Sequence, residues 1–380
     1  MKDKIEHIIK TNSIINQLYT FLGSLLIQLL GLFLKENKKT ILFVSFMGKN
    51  FNDSPKAIYD RMVSDPYFKD YTFIWAFKET DKYEIQNKNT KVIKMDSFNY
   101  LKTALTASYW ITNVNIERGL HFKKNYTKSV NTWHGIPLKK VGNDVAGRND
   151  FDFSDTTLFC YSGEYEYEIY KRAFNLNDKN LYKIGMPRND LILENDQKTI
   201  EEVKKKYHIK DKKVILYAPT WREDPEDLKL MDLLEWEESL SKEYILLVKA
   251  HGLAKDWKFR ENSFVIDVSD YEETSELMLI ADILITDYSS IMFDYSLLEK
   301  PIFIYLTDYE KYKKERGVYF DLKASQLSVF ESDSSLLAYI KDYDEEEEKI
   351  KSKEFSQKFI EVREANSTQQ IVERIKEEIV

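Results

Sequence analysis

Regular patterning begins with an uncharged stretch, residues 13–34, SIINQLYTFLGSLLIQLLGLFL. Apolar side chains fall at 14, 15, 18, 22, 25, 26, 29, 30 and 33, a helical period. Asn16, Gln17, Thr20, Gly23, Ser24, Gln28 and Gly31 form the opposite stripe, and Lys10, Lys35, Lys38 and Lys39 flank the whole. Three arrangements compete. A transmembrane span has just enough length, but the polar stripe opposes it. A helix packed on the protein's own core is the plainest. The expectation is an amphipathic helix lying in a membrane surface, with residues 1–39 as its segment. Lys35-Glu36-Asn37-Lys38-Lys39 follows instead of a small-residue cleavage site, so a cleaved leader is not expected.

From Thr40 the pattern changes to short apolar runs alternating with helical segments. The runs predict strands at Ile41–Phe46, Phe73–Phe77, Val92–Ile93, Tyr109–Thr112, Val130–Trp133, Thr157–Tyr161 and Tyr182–Ile184. A second series lies at Val214–Tyr217, Tyr244–Val248, Phe264–Ile266, Ile283–Ile285 and Ile302–Tyr305. Helices are predicted from Pro55, with Asp53 or Ser54 as cap, and at Phe98–Ala107, Glu164–Ala173, Ile200–Tyr207, Thr274–Ile280, Ile291–Leu298 and Leu336–Tyr343. The charged tail from Glu345 keeps a helical spacing. Alternation of this kind argues for an α/β class with parallel sheets covered on both faces. The expected division is residues 40–190 and 191–380, the boundary falling in the polar stretch Asp190–Lys198.

Composition narrows the class. The 380 residues are 43% hydrophobic and 32% charged, globular values for two domains. A net charge of −8 offers no basic field, so nucleic acid is not an expected partner. The one cysteine, Cys160, excludes an internal disulfide framework. No Cys/His cluster has zinc spacing, and no carboxylate cluster demands a metal. No cofactor is therefore expected, and metal dependence stays open. Neither a Walker loop nor GxGxxG occurs.

Candidate chemistry sits in loops after predicted strands. In Thr132-Trp133-His134-Gly135 an imidazole is exposed in a tight turn, suited to proton transfer near neutrality or simply bonded to backbone. Pro219-Thr220-Trp221-Arg222 presents a hydroxyl and backbone amides, or is an ordinary turn. Lys249-Ala250-His251-Gly252 brings an ammonium and an imidazole to the end of an apolar strand. Thr286-Asp287-Tyr288-Ser289-Ser290 leads from a strand into a helix. That geometry attracts phosphate, although Asp287 and Ser289 are also ordinary helix caps. Arg188, after Gly185-Met186-Pro187, adds a guanidinium at the expected domain crossing. Together these loops describe a cleft between two α/β domains.

The stretches WHGIPLKK, GMPRND, YAPTWRED and DVSDYEETSELMLIADILITDYSSIMFDY resemble the CDP-glycerol glycerophosphotransferases of teichoic-acid synthesis. SFMGKNFNDSPKAIYDRM resembles that family's shorter, primase-like members, and the resemblance covers about residues 40–325. It implies a GT-B fold, two Rossmann-like domains with the donor in the cleft. It implies a peripheral protein on the cytoplasmic face of the cell membrane, using CDP-glycerol and an undecaprenyl-diphosphate-linked saccharide or polyol-phosphate acceptor. By motif, His134 is implied as catalytic base and His251 as a second catalytic residue. Gly135, Ile136, Pro137, Leu138, Arg188, Pro219, Thr220, Lys249, Ala250, Ser289, Ser290 and Asp294 are implied donor contacts, alongside both histidines. Two departures stand out. Lys249 replaces an Arg frequent in relatives, keeping charge but losing the bidentate fork. Ile136 replaces a frequent Thr.

The reaction implied is attack of an acceptor hydroxyl on the distal phosphorus of CDP-glycerol, with CMP leaving. CDP-ribitol is the alternative donor. A nucleotide-sugar glycosyltransferase and an inactive membrane-bound scaffold are the more distant readings.

Overall fold

Each apolar run named above coincides with a strand. The inner strands are buried on both faces, which is why their runs are continuous rather than alternating, and the edge strands at Thr90–Lys94, Leu181–Lys183 and Val265–Asp267 are only partly buried. The computed structural model describes residues 13–220, 222, 231–250 and 263–379. Lys10, Trp221 and His251, on which expectations rested, lie outside the described residues.

The first sheet contains β1 (Asn37–Val44), β2 (Thr72–Phe77), β3 (Thr90–Lys94), β4 (Ala107–Thr112), β5 (Lys128–Asn131), β6 (Leu158–Tyr161) and β7 (Leu181–Lys183). Its order is β3-β2-β1-β4-β5-β6-β7. The second contains β8 (Lys213–Ala218), β9 (Tyr244–Val248), β10 (Val265–Asp267), β11 (Ile283–Thr286), β12 (Ile302–Tyr305) and β13 (Ser328–Phe330), in the order β10-β9-β8-β11-β12-β13. All pairings are parallel, so the chain is an α/β protein with two parallel sheets. The strand order reverses between β1 and β4 in one sheet and between β8 and β11 in the other. Loops leaving the carboxyl ends of strands at such points form the crevice where α/β proteins bind ligands.

The first strand stops at Val44, two residues before its expected end. Phe46, Met47 and Gly48 follow with φ of 44°, 58° and 76°, a backbone that no strand can continue. The next helix, Asp53–Val63, begins after Asn52, so neither Asp53 nor Ser54 is its cap; Asp53 lies inside the helix bounds at φ 66°.

The last helix, Ser367–Ile379, returns to the first sheet. Ile371, Val372 and Ile375 join the core made by Ile58, Met62 and Tyr109. The Asp190 carboxylate accepts the amides of Ser367 (3.0 Å) and Thr368 (2.8 Å), capping that helix from far away in sequence. The residues after 191 therefore serve both sheets.

The amino-terminal helix Ser13–Gly31 turns Gly23, Ser24, Ile27 and Gly31 inward. The Ser24 hydroxyl accepts the His121 amide (2.9 Å), and the Gln28 amide donates to the His121 carbonyl (2.6 Å). Leu18, Phe21, Leu22, Leu25, Leu26, Leu29 and Leu30 are exposed. An apolar face buried in the protein's own core is thus not what this helix has. Among the described residues no helix is long and apolar enough to cross a membrane.

Candidate active site

The loops at the two switch points meet through the segment His134–Lys140. Ile136 and Leu138, each 1% exposed, insert into the core of the second sheet, although His134 follows a strand of the first. Their side chains are therefore core, and only their backbone is available to a ligand. Ile136 makes sense as an apolar anchor that a threonine would supply less well. The Tyr165 hydroxyl donates to the Pro137 carbonyl (2.7 Å), the Tyr319 amide to Leu138 (2.9 Å), and the Lys140 amide to Gly317 (3.2 Å). Gly135, at φ 144°, lies so close to the Ser289-Ser290 turn that an added Cβ would come 2.9 Å from Ser290 Cβ.

His134 is fixed at one ring nitrogen. Nδ1 lies 2.8 Å from the Asn113 carbonyl, an obligate acceptor, so Nδ1 carries the proton and the neutral ring keeps its Nε2 lone pair. Asn113 is fully buried, and its side chain accepts the Phe46 amide (2.9 Å) and donates to Ser45 (3.4 Å). Burial holds the His134 pKa below its ordinary value, outweighing the Asn113 hydrogen bond and Asp53. The ring is neutral near pH 7, the state a general base needs. The turn histidine is thus bonded to backbone through Nδ1 and keeps Nε2 as a nitrogen able to accept a proton.

Arg188 is not free. One guanidinium nitrogen donates to Asp53 (2.7 Å) and the other to Asp294 (2.8 Å), with all three side chains nearly buried. Asn189 donates to the same Asp294 (2.8 Å). Burial raises Asp294 against the pull of Arg188. Arg188 and Asp294 thus form a clamp between the two sheets rather than an open anion site.

The second sheet's side is built on a similar network. Asp287 does not cap the following helix. It accepts the Thr220 amide (2.7 Å) and the Arg222 guanidinium (2.8 Å), and Arg222 also binds Asp308 (2.7 Å). This network holds Pro219 and Thr220 beside the turn, with the Thr220 hydroxyl buried and unpartnered among the described residues. Ser289 does cap, accepting the Ile291 amide (3.3 Å), while Ser290 makes no cap bond. Lys249 donates to the Tyr271 carbonyl (2.6 Å), and burial pushes its pKa down to about 8. Ala250 is buried, its amide donating to Ser269 (3.1 Å).

Asn113 and Glu273 were not singled out from the sequence, and Asp53 was read there only as a possible helix cap. Glu273 is pushed up to about 8 by burial, with Lys56 of the helix Asp53–Val63 4.0 Å away. Asp53 and Glu273 lie inside stretches quoted for the resemblance, so their segments were visible and their roles were not. Among the described residues no group of three or more His, Cys, Asp and Glu could hold a metal ion.

A sequence model described as CDP-glycerol:poly(glycerophosphate) glycerophosphotransferase matches residues 27–377. A teichoic acid glycerol-phosphate transferase of Staphylococcus aureus is 33% identical over 367 residues, which cover 89% of this chain and 93% of that one. A teichoic acid poly(glycerol phosphate) polymerase of Staphylococcus epidermidis is 39% identical over 312 residues, 74% of this chain and 42% of that one. The chain thus spans less than half of that polymerase and nearly all of the transferase. Among solved structures, the wall teichoic acid polymerase TagF superposes with a TM-score of 0.82 at 32% identity, covering 90% of each chain. A histidine-to-asparagine variant of TagF has been solved after soaking with CDPG.

Proposed function

We propose, from the premise that this chain belongs to the CDP-glycerol:poly(glycerophosphate) glycerophosphotransferase family, that it transfers glycerol phosphate from CDP-glycerol in teichoic acid synthesis. The acceptor is a hydroxyl on a lipid-linked saccharide or polyol phosphate, and CMP is released. The single observation carrying the reading is His134, whose Nδ1 is committed to Asn113 while Nε2 makes no hydrogen bond among the described residues. In the transfer, Nε2 takes the proton of the acceptor hydroxyl as its oxygen attacks the distal phosphorus. The bond from that phosphorus to the CMP oxygen breaks, and CMP leaves with the electron pair. The Ser289-Ser290 turn, the Thr220 hydroxyl and Lys249 stabilise charge on the phosphates. His251 joins them by its motif. Arg188 and Asp294 act by holding the two walls of the cleft in register.

The facing switch points support a GT-B arrangement, with residues 40–190 on the acceptor side and most of the later chain on the donor side. The exposed apolar face of Ser13–Gly31 supports peripheral attachment to the cytoplasmic face of the membrane, where a lipid-linked acceptor is confined. Glycerol is favoured over ribitol because the relative matched at 33% identity over nearly the full length of both chains is a glycerol-phosphate transferase. Mass spectrometry of products made on a synthetic lipid-linked disaccharide tests the reading. One added glycerol phosphate per CMP is expected. Product from CDP-ribitol alone, or CMP released without acceptor, overturns it.

A further inference from the structure

The cations around the cleft differ in what already neutralises them. Arg188 is bonded to Asp53 and Asp294, and Arg222 to Asp287 and Asp308. A guanidinium bonded to two carboxylates has no net positive charge left for a diphosphate. Lys249 keeps its charge but points it at a backbone carbonyl.

Lys139 is in another position. It follows His134 by five residues on the same loop, and its backbone is fixed from both sides. It forms an isolated antiparallel bridge with Val318, while Leu138 before it and Lys140 after it bond to Tyr319 and Gly317. Its side chain is half-buried, and its ammonium has neither ion pair nor hydrogen bond among the described residues. The charges that act on it are Asp287, Arg316 and Arg222, and its own charge acts on His134. It is therefore within electrostatic reach of both the proposed base and the Asp287–Ser290 turn. Burial depresses its pKa, as expected of a desolvated cation whose counter-ion is missing.

We propose that Lys139 binds a phosphate oxyanion of the transfer reaction beside His134. The inference rests on the reading of the site as a polyol-phosphate transferase. The chemistry is shared by two sources, the diphosphate of the CDP-polyol and the phosphate at the end of a polyol-phosphate acceptor.

The test uses the full chain with Lys139→Met and Lys139→Arg, each checked for an unchanged thermal midpoint. Calorimetry with CDP reads the donor arm and needs no turnover. The acceptor arm compares KM for a soluble acceptor ending in glycerol phosphate with KM for the unphosphorylated disaccharide. Loss of one charge-assisted contact predicts about 10- to 100-fold weakening in Lys139→Met, with most of it restored in Lys139→Arg. Weaker CDP binding assigns Lys139 to the donor. Unchanged CDP binding with a raised KM for the phosphate-ended acceptor alone assigns it to the acceptor. Both constants unchanged in folded Lys139→Met overturns the proposal. So does a change confined to the acid limb of kcat, which would mean that the ammonium acts only through His134. If wild type fails to transfer from CDP-glycerol while Lys139→Met still weakens CDP, the transferase reading fails and the anion site stands.

Discussion

Arg188 and His134 follow strands of the same sheet and face the same cleft, yet they are used in opposite ways. Arg188 has both ends of its guanidinium bonded to carboxylates, one from each side of the cleft. His134 has one nitrogen bonded to backbone and the other left open. A polar group with every bond satisfied inside the protein holds shape; a polar group with one bond withheld is available to a substrate. The same division separates Asp287, which holds Thr220 and Arg222, from Ser290, which caps nothing. It predicts that satisfied residues, when changed, cost stability first, and open ones cost turnover or binding with the fold intact.

The largest effect expected is on turnover. His134→Gln should lower kcat by about 10²–10⁴-fold, the usual contribution of a general base, at an unchanged thermal midpoint. Because burial depresses its pKa, the base stays deprotonated as pH falls below the ordinary 6.5 of an imidazole. The acid limb of wild-type kcat/KM should therefore lie below 6.5 and vanish in the variant. A folded variant with near-normal turnover would remove His134 from the chemistry.

Arg188→Met is the matching change on the satisfied side. It leaves Asp53 and Asp294 buried without their cation, which typically costs about 3–5 kcal/mol. Denaturant melts should show that loss, and adding Asp53→Asn with Asp294→Asn should recover part of it. A variant of unchanged stability that has lost only CDP affinity would make Arg188 a ligand contact after all.

A third prediction concerns pH. Glu166 is fully buried, accepting the Ser162 amide (2.5 Å) and the Tyr170 hydroxyl (2.7 Å), and burial raises its pKa from 4.5 to about 7. Between those values the folded state holds a proton that the unfolded state has released. Stability should therefore fall as pH rises through that window, by at most about 3 kcal/mol from this group. Glu166→Gln should flatten the slope in urea melts taken from pH 4.5 to 8; an unchanged slope would place its source elsewhere. Smaller again is the effect of Ser289→Ala with Ser290→Ala. Loss of two neutral hydrogen bonds predicts about tenfold weaker CDP binding by calorimetry. Unchanged binding would reduce the turn to a helix cap.

Much of this division was beyond the sequence, for a physical reason. The inner strands were legible because they are apolar runs enclosed on both faces, as at Ile302–Tyr305. Ser328–Phe330 escaped because a three-residue, half-buried edge strand has no such run. The helix Tyr309–Arg316 escaped because only Tyr309 and Tyr312 are buried in an otherwise charged segment. His134 stood out because an imidazole before a glycine at a strand end is locally unusual. Arg188 was legible as a cation but not as a spent one, since its carboxylates lie 135 and 106 residues away. Ile136 looked like a departure from a pattern until its burial in the opposite core gave it a reason.

The smallest effect expected on the fold comes from the helix Ser13–Gly31, and the contrast there is with the carboxy-terminal helix. Both pack on elements of the first sheet. Ser367–Ile379 turns Ile371, Val372 and Ile375 into the core, as amphipathic helices of globular proteins do. Ser13–Gly31 does the reverse. Its seat is made by Ser24 and Gln28 bonding to His121, and by Gly23, where an added Cβ would lie 3.1 Å from Leu120. Its leucines stay outside, with Leu22 at 52% and Leu26 at 61% exposure. Moving exposed apolar area from water into an apolar phase is favourable by about 25 cal/mol per Å². Changing Leu22, Leu25, Leu26 and Leu29 together to Gln should thus move the thermal midpoint little, as surface changes usually stay within about 0.5 kcal/mol each. It should abolish flotation with anionic liposomes and lower activity on membrane-embedded acceptor, leaving activity on a soluble acceptor. Ile371→Ala, by comparison, should cost about 2–5 kcal/mol of stability and leave flotation unchanged. If the leucine variant unfolds, the exposed face was packing surface. If it is folded and still floats, the membrane is met elsewhere on the protein.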